Sequence, residues 1–331
     1  MIGAVLVIGI GAYSIFWWIA AGRIKDEARK WAEAAPQQKI DVSWKTMRVA
    51  GYPFAFRLEL TDAVLRSAAP EAPGEVHAPR FSISVAPWDF HSANAAASDG
   101  IAATLGAAGA PIGKLEAAKA SAAYAMGRDG ESTLWLSLFE MKASSGDEIS
   151  ARLVHGWFIV PGTPPTSHTE PAMTIAMMAR DLEVPVAPTG FGKTIDELAF
   201  GFSVMGALSP GPPRQVAAAW RDAGGTVELD NFRLRWGETS ISGTGTLALD
   251  NDLQPIGGFS GGIAGYDQLM KALVAAGRVK SNDARVARLA LAMIAKAGPD
   301  GRPEITSSLT IQNGEIFLGP AKLGKMPRLN W

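Results

Sequence analysis

The segment from Thr189 to Thr194 is where the sequence comes nearest to a nucleotide-binding motif. It reads Thr-Gly-Phe-Gly-Lys-Thr, and its last three residues match the end of a phosphate-binding loop. That loop also requires a glycine five positions before its second glycine. Here the position holds Ala187, and Pro185 and Pro188 interrupt the approach. We therefore predict a turn that leads into a strand and binds no nucleotide.

The glycines Gly243 and Gly245 resemble part of a dinucleotide fingerprint. In that fingerprint the glycines occupy a turn that opens a helix. Here residues 246–249 continue with the pattern of a strand, so the fingerprint fails. The glycines of residues 257–265 are interpreted in the same way, as positions of tight turns or close strand approach.

The side chains that hold metals or act as nucleophiles are few and scattered. The chain has no cysteine, which excludes disulfides, thiolate metal sites and cysteine nucleophiles. Its four histidines have neither metal-ligand spacing nor a carboxylate beside them in a known motif; they are His77, His91, His155 and His168. Ser240 and Ser242 lack the Gly-x-Ser-x-Gly setting of a hydrolase nucleophile. We predict no catalytic residue, no metal and no cofactor.

The overall charge is close to neutral. The 31 basic and 32 acidic residues give a net charge of -1, which argues against a nucleic-acid partner. The same balance argues against broad electrostatic docking on anionic lipid. Charged residues make up only 19% of the chain and hydrophobic residues 47%, a composition that predicts a folded protein.

Residues 2–22 carry no charge and predict a membrane anchor. At about 1.5 Å per residue, a helix of this length spans roughly 31 Å, which matches a hydrocarbon core of about 30 Å. Tyr13, Trp17 and Trp18 have the aromatic character favoured at the headgroup level. The residues expected to form the anchor are Ile2, Val5, Leu6, Ile8, Ile10, Tyr13, Ile15, Phe16, Trp17, Trp18 and Ile19.

Two alternatives to a membrane anchor remain open. A cleaved signal peptide would have a shorter apolar core, and bulky Trp18 and Ile19 directly precede the Ala20-Ala21 site. A buried helix of a soluble domain seldom needs an uninterrupted apolar run of this length.

The charges that flank the anchor and the character of the rest of the chain predict opposite orientations in the membrane. Arg23, Lys25, Arg29 and Lys30 all follow the apolar run, so the positive-inside rule alone would keep the remainder in the cytoplasm. The character of the rest of the chain favours the opposite side. We predict a single-pass inner-membrane protein with its bulk in the periplasm and leave the other topology open.

The remainder of the chain predicts a mainly β fold. Residues 23–38 are expected to form a short helical juxtamembrane segment that Pro36 ends, and residues 39–331 a β-rich soluble domain. In residues 55–60, Phe56, Leu58 and Leu60 alternate with charged residues, as in a half-buried strand. Similar runs bounded by turn residues predict a large antiparallel sheet assembly; they cover residues 80–85, 133–141, 153–160, 173–178, 226–236, 240–249 and 304–311.

Three helices are predicted among the strands, near residues 213–223, 266–276 and 283–297. The last two have apolar stripes at helical spacing and are expected to pack as a pair on the sheet. Residues 67–79 and 161–171 are interpreted as surface loops because proline and small residues dominate them. The alanine- and glycine-rich residues 93–110 show no pattern that can be assigned.

The order of several segments resembles a bacterial family known as domain of unknown function 2125. The resemblance covers most of the chain after the anchor, and no single motif is specific; the segments are Trp44, Gly51–Phe54, Ala219–Gly225, Trp236-Gly237, Gly243–Asp250 and Asn313–Pro320. The strand at Gly243 and the hairpin at Asn313 are more distantly similar to AsmA-like envelope proteins. That similarity implies an inner-membrane anchor, a periplasmic β-rich body and an apolar groove linked to lipid movement.

Three functions are compatible with the sequence. The leading hypothesis is a non-enzymatic module that binds lipid or another hydrophobic ligand and helps to maintain the envelope. An apolar groove would then involve the strand whose two faces are both apolar, which carries Leu134, Trp135, Leu136, Leu138 and Phe139; coverage of that strand by a helix is the alternative. The other hypotheses are a scaffold that binds envelope proteins and, third, a hydrolase.

Overall fold

In the computed structural model of the protein, the described residues are 2–70, 72–107, 109–277, 279–298, 301–319 and 321–329. Strands contain 54% of the residues and helices 21%, which confirms the predicted mainly β fold with an N-terminal apolar helix and C-terminal helices. The chain divides into two compact units. Unit 1 comprises Met1–Met126 and Leu134–Ser150, and unit 2 comprises Gly127–Thr133 and Ala151–Trp331.

The first element is the helix α1, Ile2–Ala34, which continues without a break beyond the uncharged run. Two ion pairs stabilise the polar C-terminal half of this helix, and in each pair the partners are three residues apart. Asp26 pairs with Arg29 at 3.2 Å, and Glu27 pairs with Lys30 at 2.7 Å. A 3₁₀ turn, Ala35–Gln38, contains Pro36 and ends the helix. The predicted anchor and juxtamembrane helix are therefore one element.

Unit 1 is an antiparallel sheet in which short strands share the edges of long ones. The strands β1 and β2 pair with successive parts of β3, and β5 and β6 pair with successive parts of β4 and with β7. Its strands are β1 Ile40–Ser43, β2 Thr46–Ala50, β3 Phe56–Ser67, β4 Gly74–Ala86, β5 Asp89–Ala97, β6 Ile101–Ala107, β7 Ala110–Met126 and β8 Ser132–Ser145.

The alternation predicted in β3 is confirmed by its pairing with β4. Phe56 lies opposite Val85, Leu58 opposite Ile83 and Leu60 opposite Phe81, so these side chains share one face of unit 1. The other face carries ion pairs such as Arg48 with Glu59, at 2.6 Å. One correction concerns residues 67–79, which we interpreted as a loop. The long β3–β4 hairpin occupies both ends of that segment and leaves only a short turn between them.

Unit 2 is an antiparallel meander. From β10 to β14 each strand pairs with the next, and the series continues through β16, β17 and β18. Its strands are β9 Asp147–Val160, which also contributes to unit 1, β10 Pro171–Glu183, β11 Thr194–Met205, β12 Thr226–Trp236, β13 Thr239–Leu249, β14 Pro255–Ala264, β15 Lys296–Ala297, β16 Pro303–Gln312, β17 Glu315–Leu318 and β18 Ala321–Lys325.

Three helices interrupt this meander, as the sequence predicts: α2 Pro213–Asp222, α3 Tyr266–Ala275 and α4 Ser281–Ile294. The α3 helix contacts β13, and α4 contacts β16. The apolar stripe of α4 differs from our expectation because it is exposed rather than packed on the sheet: Leu289 is 68% exposed and Met293 81%. Among the described side chains of α4, the small residue Ala284 is buried, so this helix approaches its neighbours through a narrower contact than the stripe suggests.

Candidate functional site

The pairing register of unit 2 aligns apolar side chains from consecutive strands into rows. Residues directly opposite each other in an antiparallel sheet point to the same face. One row, here called row A, consists of Ile175, Phe202, Leu229, Gly245, Phe259, Leu309 and Leu318. The adjacent row on the same face, row B, consists of Met177, Phe200, Phe232, Gly243, Gly261 and Ser307. Together they form the centre of what we call the apolar face.

The opposite face of the same sheet is polar. A row beyond row B holds Arg180, Glu197 and Arg235 near one end of the strands, and Glu197 also lies 3.9 Å from Arg233. On another part of this face, side-chain hydrogen bonds link Thr174 to Ser203, at 2.9 Å, and Ser203 to Asp230, at 2.8 Å. These groups form ion pairs and hydrogen bonds with one another, so the polar face can be exposed to water and needs no binding partner to pair its charges.

The apolar face is only half-buried. Phe200, Phe202 and Phe232 retain intermediate exposure, and Met177 is 38% exposed. A sheet covered on both faces would bury such residues almost completely. The centre of this face therefore presents aromatic and aliphatic surface to whatever lies against it.

Row B contains three small residues in succession, and we call this part of the apolar face the recess because no side chain larger than serine projects from it. Gly243, Gly261 and Ser307 lie side by side on β13, β14 and β16 and follow Phe232 in the row. The neighbouring Phe259 ring leans across Gly245, where an added Cβ would come within 2.2 Å of a ring carbon. With strands about 4.8 Å apart, the recess is roughly 10 Å wide and bounded by large apolar side chains.

The helix α2 covers one end of the apolar face and borders an open cavity of about 510 Å³. The cavity is lined by apolar residues of α2 and of the sheet, among them Val204, Val216, Trp220, Val227 and Leu247. The Trp220 indole Nε1–H donates a hydrogen bond of 2.6 Å to the Met205 carbonyl oxygen, which fixes the ring that forms one wall. A buried Trp with its single donor satisfied is a stable wall for an apolar site.

The ring of Trp220 needs a glycine beside it. A Cβ on Gly225 would lie 2.3 Å from the indole nitrogen, so no larger residue fits without displacing the ring. The Gly225 N–H donates to the Trp220 carbonyl oxygen at 2.9 Å and closes the turn after α2. The Ala219–Gly225 segment thus folds into one packed corner at the end of the apolar face.

The opposite end of β13 is held by α3. The Gln268 side-chain oxygen accepts hydrogen bonds from the backbone N–H groups of Glu238, at 2.8 Å, and Thr239, at 3.1 Å. Thr239 is 2% exposed and also donates to the Gly265 carbonyl oxygen at 3.3 Å. The two helices therefore fix the two ends of the central strands and leave the recess between them.

The residues of the predicted groove lie on β8, in unit 1. Trp135, Leu136 and Phe139 are each 38% exposed, and Leu134 and Leu138 are half-buried. Both faces of this strand therefore remain partly accessible, whereas the sequence predicts that one of its two apolar faces lines the core. The cavities described in the structure are lined by other residues, and a groove at β8 stays a prediction.

The predicted anchor residues all fall in α1, and the side chains of Ile2 and Val5 lie outside the described part. Leu6, Ile8 and Ile10 are 60–71% exposed, as are Ile15, Trp18 and Ile19 at 56–70%. An 18-residue window of this helix has a mean hydropathy of 1.4, and 11% of it is buried. By length and composition α1 can cross a membrane, as a span or as a signal anchor.

One face of α1 is packed against unit 1. Trp17 is 2% exposed and Ala21 4%, and together with Phe56 they form a buried apolar cluster. The turn Gly51–Ala55 supplies the polar partners: the Trp17 indole donates to the Ala55 carbonyl oxygen at 3.3 Å, and Ser14 and Tyr52 share a hydroxyl–hydroxyl bond of 2.8 Å. Sequence reasoning assigned Trp17 to the lipid and missed this contact.

The segments that resembled catalytic motifs have structural roles. The Gly192 carbonyl oxygen accepts a 2.8 Å hydrogen bond from the Trp236 indole, and Phe191 packs on the same ring. The chain then enters β11 at Thr194, which confirms the predicted turn into a strand. Within the described residues, no group of three or more His, Asp or Glu side chains could hold a metal ion.

The model of one protein family matches residues 17–327, which is most of the chain. Its description is "uncharacterized protein conserved in bacteria (DUF2125)". The chain belongs to the DUF2125 family. No curated protein and no solved structure matches the chain significantly. The predicted family is thus confirmed, and the more distant AsmA-like relationship stays a prediction.

The segments that carried the resemblance to DUF2125 lie at the features described above. Gly51–Phe54 forms most of the turn that binds α1, and Ala219–Gly225 forms the packed corner with Trp220. Gly243 contributes to the recess, and Asn313 and Gly314 form the left-handed turn between β16 and β17, with φ of 52° and 69°. These motifs build the contact between α1 and the sheet of unit 1, and parts of the apolar face.

Proposed function

We propose that this DUF2125 protein is a membrane-anchored, non-enzymatic module that binds lipid or another hydrophobic ligand on the apolar face of unit 2. We place it in the inner membrane, with its bulk in the periplasm and a role in envelope maintenance. The observation that carries the proposal is the alignment of rows A and B on one face, with small residues at the centre.

The chemistry of the apolar face suits an acyl chain. Rows A and B contain no charged residue, and Ser307 is their one side chain with a polar atom. Burial of apolar area contributes roughly 25 cal/mol per Å², so covering several half-exposed aromatic rings would stabilise a complex by several kcal/mol. The recess gives an acyl chain a place to lie below the level of the surrounding side chains.

The charges elsewhere on the sheet do not favour a polar ligand at this site. The carboxylates and guanidinium groups of β10, β11 and β12, such as Glu197 and Arg235, lie on the opposite face and bind one another. A protein partner is the alternative occupant, and interfaces of that kind usually add hydrogen-bonding groups around an apolar centre. The proposal commits to lipid because α1 holds the protein next to a lipid source.

Photocrosslinking from two adjacent residues tests the proposal. A photoreactive side chain at Ser307 faces the recess, whereas one at Ser308 faces the polar side of the same strand. The full chain is used in membranes because α1 contributes to the buried cluster with Phe56. We expect lipid adducts, detected by mass spectrometry, at position 307 and not at 308.

The other outcomes of this experiment count against lipid binding. Equal lipid labelling at both positions would mean that the adducts come from random encounters with the bilayer. A protein adduct specific to position 307 would support the scaffold hypothesis instead. A reporter fused after residue 329 settles the side of the membrane separately, and cytoplasmic activity of that reporter would contradict the periplasmic placement.

A further inference from the structure

The helix α1 and the sheet of unit 1 stay in contact far into the apolar run. Tyr13 donates a hydrogen bond from its hydroxyl to the Pro53 carbonyl oxygen, and Ser14 contacts Tyr52 one residue later. From Ser14 to Ile19, whose side chain is 56% exposed, the helix rises about 7.5 Å; to Arg23, the first charged residue, it rises about 13.5 Å. The turn Gly51–Ala55 therefore lies level with residues of α1 that face lipid.

We propose that the aromatic end of unit 1 is inserted in the bilayer beside α1. We define this end by the exposed residues Tyr52, Phe54, Trp88 and Phe90, which are 46%, 72%, 69% and 68% exposed. The inference rests on α1 being in the membrane but goes beyond ligand binding by unit 2. With this insertion, the protein is attached to the membrane at two places: the spanning helix α1 and an inserted edge of the sheet.

The register of β3 and β4 places the second pair of aromatic residues at the same end as the first. Phe56 follows the Gly51–Ala55 turn directly and lies opposite Val85. The hairpin that follows Val85 turns between Ala86 and Asp89, so Trp88 projects beyond the strand ends on the side of Tyr52 and Phe54. Aromatic side chains with a polar edge or a large flat ring are favoured at the membrane interface.

Several polar groups of the Gly51–Ala55 turn are hydrogen-bonded within the protein, which lowers the cost of entry into a low-dielectric medium. The backbone N–H groups of Phe54 and Ala55 both donate to the Gly51 carbonyl oxygen, at 3.0 and 2.8 Å. Pro53 has no N–H, and its carbonyl oxygen accepts from Tyr13. The Ala55 carbonyl oxygen accepts from Trp17. These four bonds reduce the number of groups in this turn that would lose a hydrogen bond on leaving water.

The second hairpin contains one charge, and its carboxylate is turned back towards the strand. The Asp89 carboxylate accepts a 3.0 Å hydrogen bond from the backbone N–H of His91 and another from the Ser92 hydroxyl. This arrangement leaves Trp88 and Phe90 as the projecting side chains. The headgroup region tolerates such a carboxylate, so this hairpin reaches the interface rather than the centre of the bilayer.

The opposite end of the same sheet is charged, so the two ends of unit 1 differ in their affinity for the bilayer. There Arg66 binds Glu75 at 2.6 Å and lies 3.6 Å from Asp41. The turns Gly51–Ala55 and 86–89 contain no basic residue, Arg57 and His91 lie on the strands behind them, and the other end of the sheet is held by ion pairs. This difference indicates which end of unit 1 faces the bilayer. Insertion at the interface through aromatic residues is also consistent with the near-neutral net charge.

Single-cysteine labelling tests this inference without background, because the natural chain has no cysteine. The variants Phe54→Cys, Trp88→Cys and Ala102→Cys each carry an environment-sensitive fluorophore on the full chain in phosphatidylcholine–phosphatidylglycerol vesicles. Ala102 is exposed on β6 and pairs with His77, near the charged end. Doxyl-labelled lipid is expected to quench positions 54 and 88, whereas aqueous iodide is expected to quench only position 102.

A fourth variant, Ile10→Cys, reports the insertion of α1 itself. If doxyl lipid quenches position 10 but iodide quenches 54 and 88, the aromatic end lies in water and the inference is overturned. If positions 54 and 88 are shielded from both quenchers, protein covers them and the inference also fails. If iodide quenches position 10, the anchor is wrong as well. Crosslinking at Ser307 is independent of all three results.

Discussion

The indole of Trp17 stacks on the ring of Phe56, with ring centroids 5.4 Å apart and an angle of 21° between the planes. The two residues belong to the apolar helix and to the first long strand of the sheet. Their contact means that α1, the helix that can cross a membrane by length and composition, is part of the folded structure of unit 1. Unit 1 and α1 are therefore expected to unfold together.

The variant Trp17→Ala is expected to destabilise the protein by about 3 kcal/mol, because it removes a buried ring and leaves a cavity beside Phe56. The matched control is Trp18→Ala, since the neighbouring Trp18 ring is 70% exposed on the outer side of the helix. Thermal unfolding of the full chain in detergent micelles, followed by circular dichroism, measures both. Equal effects of the two substitutions would show that α1 does not pack on unit 1 as described.

The variant Gly225→Ala is expected to lower the stability of unit 2 by roughly 1–3 kcal/mol, because its Cβ would overlap the Trp220 indole. Gly258→Ala is the control: a Cβ there meets no atom within 4 Å, and the change should stay within about 0.5 kcal/mol. Urea denaturation of the full chain compares them. A neutral Gly225→Ala would mean that α2 and Trp220 can shift away from the sheet at little cost, which would also weaken the case for a fixed cavity beside Trp220.

The loop before β10 carries a carboxyl group with a lowered pKa. The Glu170 carboxylate accepts hydrogen bonds from the Thr166 backbone N–H, at 2.7 Å, and from the Thr166 hydroxyl, at 3.1 Å. Both bonds favour the ionised form, the backbone bond most, and hold the pKa of Glu170 below its ordinary value. The stabilisation is therefore present above the unfolded-state pKa and is lost as pH falls through the folded-state pKa.

The variant Thr166→Ala should raise the pKa of Glu170 part of the way to its ordinary value, because the hydroxyl bond is lost and the backbone bond remains. The control Thr169→Ala removes a hydroxyl that bonds to Ser167 instead and should leave this pKa nearly unchanged. Titration of carbon-13-labelled glutamate by NMR, with Glu170→Gln to assign the signal, measures the shift. A pKa that does not respond to Thr166→Ala would contradict the loop geometry.

Several features of the fold follow from local sequence alone. The uncharged residues 2–22 predict the helix, and period-two alternation predicts strands such as β12, whose observed bounds match the predicted residues 226–236. The Asn313-Gly314 pair predicts the β16–β17 turn. These features depend on residues close together in the chain, so short-range periodicity and backbone preference determine them.

Other features depended on contacts between distant residues. The stretch 93–110 has no readable pattern because alanine and glycine contribute little side-chain contrast, yet β4 and β7 on either side order it as strands. The α4 stripe has the periodicity of a packed helix, but in the folded chain its large side chains are exposed. Periodicity identifies an apolar face without identifying what covers it.

The sequence by itself determined that the chain has an apolar helix, a β-rich body and no cysteine chemistry, because composition and spacing are sufficient for each. Only the tertiary structure decided which side chains meet. Trp17 and Ala55 are 38 residues apart in the chain, and rows A and B depend on the register of successive strand pairs. A shift of one residue in any of those pairs would turn a strand's apolar side chains to the polar face, so the candidate site exists only in the folded sheet.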